Sequence, residues 1–162
     1  MARYSGEYTE TFTLAVPIES AKAHFSDLET IATNYGDVKQ WKKVRSDTLK
    51  LTLEPRTEIG VTFNGEHSCK WTFTSDDVLE WKSVGKGNMR SQGIATFTSL
   101  GKKKTRVEYT ERMECDMDVN FLVARLIGPI VSRQIRDGVK SYLDRMREAM
   151  PPQTTPPRPT NR

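Results

Sequence analysis

The sequence predicts an α+β fold, a curved seven-stranded antiparallel sheet wrapped around one long C-terminal helix, with two short helices between the first and second strands. Three observations carry this. Apolar and polar residues alternate in separate runs between Tyr4 and Met117, the period of strands with one buried face. A stretch without alternation, Ala21 to Gly36, follows the first run. Val119 to Met150 then carries Val131, Ile135, Val139, Tyr142, Met146 and Met150 at helical spacing opposite Arg133, Arg136, Lys140 and Arg147, as a helix laid on an apolar surface does.

In the first strand, Tyr8, Phe12, Leu14 and Val16 share a face, and Glu10 intrudes on it. Pro17 ends the strand, and good helix formers then supply two short helices closing near Gly36. Residues 38–46 read as a connection carrying Trp41, at a cavity mouth or capping the core. Leu49, Leu51 and Leu53 form the next apolar face, and Glu54-Pro55-Arg56 turns the chain toward Ile59, Val61 and Phe63. Asn64-Gly65 is a hairpin signal. Because a slip of one residue reverses every side chain, parity favours a loop over 64–66, with Phe63 opposite His67 and Val61 opposite Cys69.

The same face continues through Trp71 and Phe73, then Leu79 and Trp81, then Gly93, Ala95 and Phe97. In the last strand Val107, Tyr109, Met113, Cys115 and Met117 point inward, and Glu111 stands among them. A carboxylate on an apolar face breaks a local rule, and such breaks mark function or strain. Gly128-Pro129 predicts a short turn over 119–127, a break, and a main helix from Pro129. Gly138 lies beside the apolar stripe, leaving room for close packing or for a ligand.

The length of 162 residues suits one domain over 1–150, and the polar, proline-rich segment 151–162 reads as a disordered tail. With 36% hydrophobic and 28% charged residues the composition is globular. The apolar run Phe121 to Val131, broken by Arg125, is shorter than the roughly 20 residues a spanning helix needs. MARYSGEYTE has no apolar signal core, so a cytoplasmic location is expected, with Cys69 and Cys115 as free thiols. The net charge of +4 comes from scattered or turn-borne basic residues without interleaved aromatics. That argues against nucleic acid and leaves a weak, transient attraction to a membrane surface.

Val16-Pro17 before Ser20-Ala21, Phe25 and Asp27, Gly93-Ile94-Ala95-Thr96-Phe97, and Lys104 to Thr110 follow one another in an order that resembles the START-like superfamily. This group of helix-grip proteins takes in polyketide cyclases and lipid-transfer domains. Gly85-x-Gly87, Gly93-x-Ala95 and Leu126-Ile127-Gly128 look most like its carbon monoxide dehydrogenase G-type branch, although Asn34-Tyr35-Gly36 stands where tryptophan and proline are common. The resemblance implies a cavity between sheet and helix for a lipid- or quinone-like molecule. It carries over no catalytic set, metal or cofactor.

The ligand-binding residues expected on these grounds are His67, Cys69, Trp71, Trp81, Tyr109, Glu111, Met113, Ile135, Gly138 and Val139. Glu111 could bond a ligand hydroxyl or carbonyl, act as a base if burial raises its pKa, or pair with Arg125. His67 could be an acid, a base or a polar anchor, or a satisfied histidine near a hairpin. His67 and Cys69 are too few for a zinc site, and His24 reads as surface. A carrier is the first reading. A cyclase, dehydratase or aromatase using His67 or Glu111 is the alternative, and an interaction protein docking through its tail is the third.

Overall fold

The structure, a computed structural model, describes residues 1–151; the tail expectation lies, from residue 152 on, outside the described residues. The order is β1 (Ala2–Leu14), α1 (Ile18–Ser26), α2 (Leu28–Asn34), β2 (Val38–Arg45), β3 (Thr48–Leu53), β4 (Arg56–Glu58), β5 (Val61–Phe63), β6 (Glu66–Ser75), β7 (Val78–Val84), β8 (Met89–Gly101), β9 (Lys104–Met117) and α3 (Phe121–Glu148). Seven strands form one antiparallel sheet in the order β1-β9-β8-β7-β6-β3-β2, and β4 and β5 pair separately. The helix-grip architecture expected from the sequence is the one observed.

Two strands differ from the sequence reading. Residues 38–45 are not a connection but the edge strand β2. Its side chains are almost all exposed, so no buried face printed an alternation. Lys39, Lys42, Lys43 and Arg45 protect this open edge from pairing with another chain, and they do have an aromatic among them, the exposed Trp41. The hairpin at 64–66 does not form. β6 pairs instead with β3, setting Leu51 opposite His67 and Leu49 opposite Cys69, while β5 folds back on β4. Ile59 and Gly60, both at positive φ (51° and 74°), make that tighter turn. Asn88 then holds the start of β6, its Oδ1 accepting from the Glu66 amide at 2.9 Å.

The third difference is α3, which runs unbroken through Pro129. Proline inside a helix costs about 3 kcal/mol. Here Ile127 and Val131, buried on either side of the exposed Pro129, offset it. Asn120 caps the helix by accepting from the Val123 amide at 3.0 Å.

The helix is seated on β1 at several points. Ser132 Oγ donates to the Ser5 carbonyl at 2.7 Å and Tyr4 to the Ala124 carbonyl at 3.1 Å. Gly6 allows this approach, since a Cβ there would lie 2.7 Å from Ile135 Cγ2. Glu10, which broke the alternation of β1, pairs with Arg147, whose guanidinium lies 4.4 Å from the centre of the Phe12 ring. His24 is buried, contrary to the surface reading, and its Nε2–H donates to the Met146 carbonyl at 2.7 Å, joining α1 to α3. Phe25 packs on Phe12 and Phe97, with ring centres 5.9 and 6.1 Å away.

Candidate ligand-binding site

The inward face of β9 reads Val107, Tyr109, Glu111, Met113, Cys115, Met117. Val107 sits opposite Phe12 and Phe97, within the packed aromatic core. From Glu111 onward the same face lines a cavity of about 570 Å³. α3 forms its opposite wall through Ile127, Val131, Ile135, Val139 and Tyr142, and the β4–β5 hairpin covers one side through Glu58, Val61 and Phe63. Gln134 ties that hairpin to α3, its Nε2 donating to Glu58 Oε1 at 2.7 Å. Among the lining residues, the exposed Asp137, Gly138 and Ser141 of α3 and Glu54, Pro55 and Arg56 mark the opening.

Glu111 stands where solid core gives way to empty space. Its carboxyl accepts from Ser91 Oγ on Oε1 and from the Tyr109 hydroxyl on Oε2, both at 2.7 Å. The Trp81 indole also favours the charged form of the carboxyl. One sheet row explains the arrangement, because Trp81, Gly93 and Glu111 are cross-strand neighbours on β7, β8 and β9. A Cβ on Gly93 would collide with the Trp81 ring, so the missing side chain lets the indole lie across β8 toward the carboxyl. Burial raises the Glu111 pKa, and these donors only partly oppose it. No cation forms an ion pair with Glu111 among the described residues; Arg125, its candidate partner from sequence, is exposed and stacks on Phe121 instead.

Around the carboxyl stand hydroxyls that stay protonated. Burial, then the Glu111 charge, pushes the Tyr35, Tyr109 and Tyr142 phenols well above their ordinary range. Burial likewise raises the Cys69 thiol and lifts Cys115 to about 11, so neither is a thiolate at neutral pH. His67 is 1% exposed, and burial lowers its pKa to about 4. Its Nε2 lies 3.1 Å from the Tyr35 hydroxyl, and its buried Nδ1 has no hydrogen-bond partner. Among the described residues no three His, Cys, Asp or Glu side chains converge as metal ligands.

Of the residues expected from sequence, Glu111, Met113, Ile135, Gly138 and Val139 line the cavity together. The others stand outside its lining. Tyr109 and Trp81 lie behind Glu111, with ring centres 5.0 Å apart. His67 lies behind Tyr35, Cys69 is fully buried beside it on β6, and Trp71 is half-buried farther along. Trp41 is absent from the lining and 39% exposed on β2. Sequence reasoning missed Ser91, although it shares the parity of Gly93 and Ala95. It also missed Tyr35, which α2 delivers and Arg145 fixes by donating to the Asn34 and Tyr35 carbonyls at 2.7 and 2.8 Å.

This architecture is shared with several solved structures. The aromatase/cyclase Zhui from a Streptomyces species superposes with a TM-score of 0.66 at 9% identity, covering 90% of this chain and 93% of the other. A START superfamily protein from Mycobacterium smegmatis gives 0.66 at 14% identity, covering 89% and 96%. Norcoclaurine synthase from Thalictrum flavum gives 0.59 at 9% identity, covering 93% and 96%. No protein-family model and no curated protein matches the sequence. At these identities the likeness is one of fold.

Proposed function

We propose that this chain binds, and in the cytoplasm carries, a small apolar or amphipathic molecule of lipid- or quinone-like character. The observation that carries this reading is the cavity itself. Its 570 Å³ falls within the ~300–1,000 Å³ of small-molecule sites, and such sites pair apolar walls with few polar groups. The walls here are mainly methionine, isoleucine, valine and aromatic side chains, with Gln134 and Arg145 among them and one buried carboxyl, Glu111. Methionine side chains re-pack around varied apolar ligands. The sequence likeness to the carbon monoxide dehydrogenase G-type branch supports the quinone- or lipid-like class. Native mass spectrometry of the purified chain, followed by titration with fatty alcohols, fatty acids and quinones, tests it. A bound apolar mass or saturable binding supports the carrier, and neither overturns it.

Among the described residues, no helix is long and apolar enough to cross a membrane. Transient contact with an anionic bilayer is part of the proposal, supported by Phe121, Leu122 and Leu126 at the start of α3. They are 74%, 74% and 64% exposed, and Arg125 lies beside them. Co-sedimentation with phosphatidylserine vesicles, lost in Leu122→Asp/Leu126→Asp, checks it.

A second reading is a cyclase- or dehydratase-type enzyme, favoured by a buried, hydrogen-bonded carboxyl whose pKa is raised. Turnover of a polyketide-like substrate that survives Glu111→Gln would exclude Glu111 as its acid or base.

A further inference from the structure

We propose that the cavity selects ligands whose buried end donates a hydrogen bond (a hydroxyl, phenol, quinol or amine) over ethers, esters, quinones and carboxylates, because Glu111 is the polar group waiting at its inner end. This rests on the ligand-binding reading and narrows it. Both oxygens of Glu111 already accept, Oε1 from Ser91 and Oε2 from Tyr109; that arrangement favours the ionised form, which is acceptor-only with about four lone-pair sites. Ser91 and Tyr109 supply two donors from behind and beside it, which leaves capacity on the side that lines the cavity. A ligand hydroxyl completes the set. An ether or quinone oxygen gains nothing from Glu111 and has only the neutral phenols of Tyr35 and Tyr142 on the lining to accept from, bonds weaker than one to a charged group, while losing its own hydration.

A carboxylate head fares worse, since it would meet a like charge away from water. The guanidiniums on the lining do not rescue it. Arg145 is committed to the Asn34 and Tyr35 carbonyls. Arg56, at the opening, lies 3.7 Å from Glu58. The remaining polar groups near the inner end do not supply a competing cation. Tyr35 and Tyr142 remain neutral phenols, His67 behind Tyr35 is neutral above about pH 4, and Cys69 stays a thiol.

The test uses the full chain and matched probes of one chain length: decanol, decylamine, methyl decyl ether and decanoic acid, with naphthol against its methyl ether as an aromatic pair. Binding is read at pH 8 by calorimetry. A hydrogen bond to a charged group predicts about tenfold or more tighter binding of decanol, decylamine and naphthol than of their ether partners, with decanoic acid weakest. Glu111→Met should reduce the alcohol–ether gap to within about threefold while ether affinity stays within the same margin. The wild-type comparison stands even if that variant fails to fold. Ether or decanoic acid binding as tightly as decanol overturns this inference and leaves the carrier reading standing. If no probe binds, both fall.

Discussion

The concave side of the sheet has a solid half and a hollow half, and they are built from different residues. At the end gripped by α1 and α2, Phe12, Phe25 and Phe97 interlock and Leu143 and Met146 of α3 close the gap, with Phe97, Leu143 and Met146 at most 2% exposed. At the other end the helices of the β1–β2 connection reach only through Tyr35 and Gly36, at the close of α2. Met113, Met117 and Val139 face one another across about 570 Å³, and a small hairpin serves as a side wall. Glu111 sits at the boundary. One half supplies stability and the other supplies space, so a substitution should change one property without the other.

The largest expected effect lies in the solid half. Phe97→Ala should cost ~3–5 kcal/mol in urea unfolding, the usual result of emptying a packed site. Met117→Ala, whose side chain already borders a void, should cost about 1 kcal/mol, the ordinary effect of a substitution that opens no new cavity. Equal losses would erase the distinction between the halves.

Acid unfolding sharpens the boundary. The folded-state pKa of His67 is lowered from 6.5 to about 4, so between these values the unfolded chain takes up a proton that the folded chain refuses. Stability from this group is complete above about pH 6.5 and is lost as pH falls to about 4, to the extent of roughly 3 kcal/mol. His67→Gln should flatten the curve of Tm against pH in that window. Glu111 acts with the opposite sign. Its raised pKa costs stability above its folded value, and the cost is relieved as pH falls toward the ordinary glutamate range.

Filling the hollow half should remove binding and spare the fold. Val131→Phe is expected to weaken decanol binding at least tenfold by calorimetry while unfolding free energy changes by less than about 1.5 kcal/mol. The smallest effect is Gly138→Ala. A Cβ there meets nothing within 4 Å, so the helix should gain ~0.5–1 kcal/mol with binding unchanged.

Much of this contrast was written in periodicity. The inward set on β9, the stripe on α3 and the misfit of Glu111 follow from parity and spacing alone. What escaped lacked such a signal. β2 buries no face. The β4–β5 hairpin depends on two residues at positive φ and on Asn88, a residue distant in sequence. Pro129 stays inside α3 because the flanking Ile127 and Val131 bury well enough to hold the helix together. Tyr35 reaches the site only because α2 and Arg145 deliver it. Periodicity gives the direction of a side chain, and the volume left between two faces is a property of three dimensions.

Methionine methyl groups offer the most direct test, because the chain places them in both halves: Met89, Met113 and Met117 line the cavity, whereas Met146 is fully buried in the solid core. In a methyl-labelled NMR titration with decanol, Met113 and Met117 should shift and saturate while Met146 stays fixed. Saturation with no change at Met113 and Met117, or with the main change at Met146, would contradict a ligand held in the hollow half.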